Sequence, residues 1–142
     1  MVMTGTKIDG KIIAQTVKDR VKKSTSELKK EGINPCLATV LVGNNTASAT
    51  YVRNKHKACE EVGIITKDHK LDENTTQQQL SSIIDELNAD ATVHGILVQL
   101  PLPKHLSEFA TTSRISPLKD VDGLTPHNAG LLAMGKAALV AC

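Results

Sequence analysis

The sequence predicts an α/β protein: a three-layer α/β/α arrangement around a mostly parallel sheet. Three observations predict it. Helical and strand patterns alternate along the chain, with no internal repeat and no low-complexity linker. The run Pro35-Cys36-Leu37-Ala38-Thr39-Val40-Leu41-Val42-Gly43 is apolar at nearly every position, as in a strand buried on both faces. The order strand, helix, strand, helix, strand then calls for crossover connections and a sheet covered on both sides. At 142 residues the chain is long enough for one domain with a real core, and residues 1–142 are expected to form one.

Each element has its own signal. The first helix is expected from about Gly10 to Lys30, with Ile13, Val17, Val21 and Leu28 facing inward and Gly32 ending it. The strand at Pro35 to Gly43 follows. Ala47 to Val62 reads as a second helix, stopped by Gly63, with Ser48, Tyr51, Val52, Lys55, Ala58, Cys59 and Val62 on its packed side. Arg53, Asn54, His56, Lys57, Glu60 and Glu61 fall on its polar side. Ile64 to His69 is a second, more polar strand. A third helix opens at Thr75 with Gln78 as its capping-box partner, and Leu80, Ile83, Ile84 and Leu87 form its stripe. Gly95 to Leu100 is the third strand, ended by Pro101 and Pro103. A short helix near Leu106 to Thr112, a turn at Lys119 to Gly123 and a helical piece over Asn128 to Met134 complete the chain.

Bulk composition narrows the function classes. Hydrophobic residues make up 40% and charged residues 23%, ordinary for a globular protein. Aromatic content is 1%, with Tyr51, Phe109 and no tryptophan, which argues against a base-stacking nucleic-acid surface. A formal charge of +2 implies no polyanion partner. The paired lysines Lys22-Lys23 and Lys29-Lys30 fit a solvated helix face. No apolar run is long enough to span a membrane, and Met1 to Lys7 does not read as a secretory leader. Cys36, Cys59 and Cys142 lack CxxC spacing; the first two read as small core residues, and the set suits a reducing cytoplasm. Asn44-Asn45-Thr46 fits a glycosylation acceptor, with nothing else pointing to secretion.

Lys55 is the residue out of place. It sits in the middle of a helix stripe that packs against something, and a lysine is almost never buried without a partner. One reading is a packed stem with a wet tip. The other is a proton-transfer group. Tyr51 lies one turn earlier on the same face, either packing over the lysine stem or sharing its proton. In open α/β sheets ligands collect beyond the carboxyl ends of the strands, where Ser48, Tyr51, Lys55 and Gln99 are expected to meet. Gln99 closes an otherwise apolar strand: it is a solvent-facing strand end, or a buried amide that needs partners. Asp120-Val121-Asp122-Gly123 is open to three readings: an anchor for ligand N–H groups, a metal site without EF-hand spacing, or an Asp-Gly turn. The five histidines show no paired metal-ligand spacing, so no metal site is expected. Neither a GxGxxG nor a GxxxxGK[ST] phosphate-binding motif occurs.

Three segments resemble one family. The run from Val42 to Ala58, with Tyr51 and Lys55 inside it, is similar to the folate-site segment of methylenetetrahydrofolate dehydrogenase/cyclohydrolase, called FolD in bacteria. His94-Gly95-Ile96-Leu97-Val98-Gln99-Leu100-Pro101-Leu102-Pro103 resembles its second signature, and Pro117 to Thr125 its third, continued by Asn128-Ala129-Gly130. The resemblance covers nearly the whole chain in the family's order. It implies oxidation of 5,10-methylenetetrahydrofolate to the methenyl cation with NADP or NAD, then hydrolysis to 10-formyltetrahydrofolate. That is one-carbon chemistry serving purine and amino-acid biosynthesis. It implies Lys55 as general acid/base, Gln99 as the group that bonds and tunes it, and Tyr51 and Ser48 lining the pocket. Leu100 and Pro101 would join the substrate-binding set, and Asp122 would hold the pterin edge. It further implies a Rossmann-type domain for the nicotinamide cofactor beyond Cys142, no cofactor-binding residue within this chain, and a homodimer for the complete enzyme. A folate-binding module without catalysis is the alternative reading.

Overall fold

The computed structural model describes residue 5 and residues 8–136. Eight elements follow in order: α1 (Gly10–Lys30), β1 (Cys36–Val42), α2 (Thr46–Val62), β2 (Ile65–Leu71), α3 (Gln77–Ala89), β3 (Gly95–Val98), α4 (Glu108–Arg114) and α5 (Pro126–Ala133). The strands form a parallel sheet in the order β2-β1-β3. Cys36 pairs with Ile65 and Val42 with Leu71 on one side of β1; Leu37 pairs with Gly95 and Val40 with Val98 on the other.

The central strand divides its side chains between two layers. Cys36, Ala38, Val40 and Val42 join Leu80, Ile84 and Leu87 of α3 in one core cluster. Alternation along the strand sends Thr39 to the opposite face, where its hydroxyl meets His56 of α2. The expected α/β/α layering and the parallel sheet are therefore present. The apolar run of β1 is buried on both faces because helices cover both.

Several boundaries and faces differ from expectation. The capping box of α3 is Thr76 with Gln79, one residue later than Thr75 with Gln78, and Thr75 is itself buried. β2 extends to Leu71 because its pairing with β1 continues to Val42. α5 starts at Pro126, with Thr125 as its cap and the proline in the first turn. On α1, Ile13, Val17 and Leu28 are exposed, and Thr25 is the buried residue. The reason is its place in the stack: α1 packs on α2, as the Lys18–Glu61 ion pair shows.

Candidate active site at the carboxyl end of the sheet

The site is assembled by two turns and one helix. β1 ends at Val42, and Gly43 turns the chain with φ +82, a left-handed conformation that favours glycine. Asn45 caps α2 by accepting from the Ser48 amide at 3.0 Å. This places Ser48, which is buried, and the first turns of α2 over the carboxyl edge of the sheet. Lys55 follows two turns along the helix and is half-buried.

The second contribution comes from the end of β3. The ladder continues one step past the strand, since the Gln99 amide donates to the Val40 carbonyl at 2.9 Å. The Gln99 side chain turns back on its own backbone, with Nε2 donating to the Leu100 carbonyl at 2.7 Å. That bond fixes which end of the amide is which, and leaves Oε1 buried without a donor. A buried acceptor in that state costs free energy, so it marks a place where a donor is missing. The expected bond from Lys55 to Gln99 is not made; Lys55 belongs to none of the salt bridges among the described residues. Leu100 packs against the core and is joined to Pro101 by a cis peptide bond.

The Lys119 to Gly123 segment supplies the third part. It lies along the free edge of β3: the Ile96 amide donates to the Lys119 carbonyl at 2.7 Å, and Ile96 bridges Asp120 in parallel register. Two steps further, that register brings Asp122 level with Val98, one residue short of Gln99. Lys119 anchors the segment from below, donating to the carbonyls of Leu87, Asn88 and Asp90 at 2.9, 2.8 and 2.8 Å. Asp120 anchors it from above. Its carboxylate is 1% exposed and accepts from the Thr125 amide at 2.8 Å, Asn128 Nδ2 at 3.0 Å and the Leu124 amide at 3.2 Å. Burial pushes the Asp120 carboxyl up, but these donors outweigh it and hold it below its ordinary value.

The two acids of the motif thus have opposite fates. Asp120 is spent on structure. Asp122 is half-buried, and desolvation raises its carboxyl above the ordinary value; the Lys55 ammonium draws it partway down and Asp120 pushes it up. Asp122 thus lies within the field of the Lys55 charge, and the Ile96–Asp120 register sets it near the end of β3, where Gln99 buries its unpaired oxygen.

Tyr51 is 62% exposed, so it does not lie on a packed side of α2 as expected. It lines an open groove of about 470 Å³ along α2 with Ala47 and Thr50. Pro101 borders a groove of about 370 Å³ with Gly43, Asn44 and Asn45. A further cavity of about 360 Å³, lined by Cys36, Lys67 and His94 among others, lies at the opposite, amino-terminal end of the strands. Sequence reasoning missed the Lys119 and Asp120 anchors, because their partners lie in other elements. It also put His56 on the solvated side of α2, whereas His56 is half-buried and bonded to the sheet.

Together these features define a parallel α/β domain whose candidate site residues lie toward the carboxyl edge of the sheet, where such folds hold small ligands. The chain belongs to the tetrahydrofolate dehydrogenase/cyclohydrolase family, whose catalytic-domain model matches residues 8–122. It is 81% identical over 140 residues to the bifunctional protein FolD of Nitrosopumilus maritimus, covering 99% of this chain and 49% of that protein. The crystal structure of the bifunctional FolD enzyme from Campylobacter jejuni superposes with a TM-score of 0.93 at 47% identity, covering 94% of this chain and 48% of that one. The Trypanosoma brucei methylenetetrahydrofolate dehydrogenase-cyclohydrolase, solved with NADP and an inhibitor, gives a TM-score of 0.89 at 34% identity, covering 96% and 47% of the two chains. The chain spans about half the length of the curated relatives it matches.

Proposed function

We propose that this chain is the folate-binding, proton-transferring part of an enzyme that oxidises 5,10-methylenetetrahydrofolate to the methenyl cation with NADP or NAD, and hydrolyses that cation to 10-formyltetrahydrofolate. The observation that carries the reading is the trio at the sheet edge. Asp122 is a half-buried carboxylate within the field of Lys55, and by the Ile96–Asp120 register it lies near the end of β3, where Gln99 holds an acceptor with no donor. A pterin ring supplies the N–H groups that Asp122 lacks. Lys55, Gln99 and Tyr51 are the catalytic set; Ser48, Leu100, Pro101 and Asp122 complete the substrate site.

The hydrolytic step follows from these residues. Water adds to the carbon that bridges N5 and N10 of the cation, and the Lys55 amine takes the proton the water loses. The C–N5 bond then breaks as Lys55 returns that proton to N5 and the added hydroxyl gives its remaining proton to solvent, leaving the formyl group on N10. Asp122 orients the pterin, and Gln99 Oε1, without a donor in the free chain, is the acceptor that the Lys55 amine takes up when substrate fills the site.

The described residues do not fit a dinucleotide. The β1–α2 turn carries a single glycine, Gly43, and the Ser48 amide at the start of α2 is taken by Asn45. The nicotinamide site, and hydride transfer with it, is therefore assigned outside these residues. Among the described residues no helix is long and apolar enough to cross a membrane. The free thiols Cys36 and Cys59 support a reducing, cytoplasmic setting. Supply of one-carbon units to purine and amino-acid biosynthesis, and a homodimeric complete enzyme, belong to the same proposal.

The test is the decay of methenyltetrahydrofolate absorbance with this chain, with buffer, and with Lys55→Met. Decay faster than both controls supports the cyclohydrolase role. Folate binding without turnover would make the chain a non-catalytic binding part.

A further inference from the structure

The middle of α2 is fastened to the sheet by polar groups. The buried residues of this helix are Ser48, Val52 and Val62. Between Val52 and Val62 no side chain is fully buried, and Lys55 lies in that stretch. What ties the stretch down is His56. Its Nε2 is 2.7 Å from Asp68 Oδ1 on β2 and 3.1 Å from Thr39 Oγ1 on β1. Thr39 Oγ1 donates to the same Asp68 oxygen at 2.7 Å. Thr39 is 1% exposed in the central strand, where an unpartnered hydroxyl would be costly. Three side chains from three elements thus meet one residue away from Lys55.

We propose that His56, Asp68 and Thr39 are positioning residues that set the rotation of α2 and so the place of the Lys55 amine. The proposal rests on Lys55 being the proton-transfer group. Successive helix residues point about 100° apart, so His56 bonded to β1 and β2 directs Lys55 toward the side where Asp122 lies. Apolar packing within this stretch comes from half-buried Ala58 and Cys59, so the His56 contacts add the directional constraint, and a displacement of about 1 Å at a reacting group can cost about 100-fold in rate.

The test uses this chain with His56→Leu, His56→Gln and Thr39→Val, each checked for folding by circular dichroism. The readouts are kcat and KM for methenyltetrahydrofolate hydrolysis, and the NMR resonance of the Lys55 Cε methylene. Its loss in Lys55→Met assigns that resonance, and exposed Lys57 is the internal control. Loss of the cluster in His56→Leu should lower kcat by about 10- to 100-fold and change KM by less than about twofold. The Lys55 resonance should move while that of Lys57 stays. His56→Gln, whose amide donates to Asp68, should recover most of both. A folded His56→Leu with parental kcat and an unmoved Lys55 resonance overturns the proposal, as does equal damage by leucine and glutamine. Should the parent turn over no faster than Lys55→Met, the reading of Lys55 as the proton-transfer group fails. The resonance alone then decides the positioning: movement supports it and stillness overturns it. If His56→Leu does not fold, Thr39→Val, which removes only the hydroxyl, is judged by the same readouts.

Discussion

Gln99 carries a buried acceptor that the free chain leaves unpaired. Replacing such a group by an apolar one of similar size removes a penalty of about 1–3 kcal/mol, against one lost bond worth about 1 kcal/mol. Gln99→Leu should therefore leave urea stability unchanged or raise it by about 1 kcal/mol, while weakening affinity for a folate analogue. A clear loss of stability would make Gln99 a structural residue. Asp122 yields a pH prediction. Burial raises its native carboxyl above the unfolded value of 3.8, so the native state binds the proton more tightly. Stability is then highest below the unfolded value and falls as pH rises through the native midpoint. Asp122→Asn should stabilise the chain at neutral pH and have no such effect at pH below 3.8. Lys55→Met removes the cation that lowers Asp122, so the carboxyl carbon of Asp122 should titrate at higher pH. An unmoved midpoint would separate the two residues.

At the scale of elements, the local chemistry of helix ends does most of the placing. α2 begins on Asn45 and ends on Gly63, whose φ of +81 and amide bonds to Cys59 and Glu60 close the last turn. Gly63→Ala would force a side chain into the left-handed region at about 1 kcal/mol, with Lys29 Nζ only 3.1 Å from the new carbon. The melting temperature should fall by about 3–4 °C. An unchanged melting point would mean this cap does not limit stability. The one-residue slip of the α3 capping box has a similar origin. Thr75 and Thr76 offer the same hydroxyl to the sequence, and burial of Thr75 leaves Thr76 to cap.

For the whole molecule, the decisive feature is a close approach between two distant segments. A Cβ on Gly95 would stand 2.5 Å from Val121 Cγ1, so only glycine lets the Lys119 to Gly123 segment lie along β3. Gly95→Ala should cost about 1–3 kcal/mol by overpacking and weaken folate-analogue binding as Asp122 is pushed away. Adding Val121→Ala should restore both. Failure of the second substitution to rescue would mean that the contact does not set the site.

The alternation of patterns, the doubly apolar β1 run and the turn residues made the α/β/α layering, the parallel sheet and most element positions legible, because these depend on periodicity and local backbone preference. Lys55 stood out as a charge on an expected packed stripe; the structure leaves it half-buried, with Tyr51 of that stripe exposed. Other features depended on contacts between residues far apart in the chain. The motif's two acids look alike in sequence; only the donors from Leu124, Thr125 and Asn128 make Asp120 structural, while Asp122 is left half-buried without them. His56 reads as solvated until β1 and β2 bring Thr39 and Asp68 beneath it. Periodicity says which way a side chain points, and only tertiary packing says what it meets there.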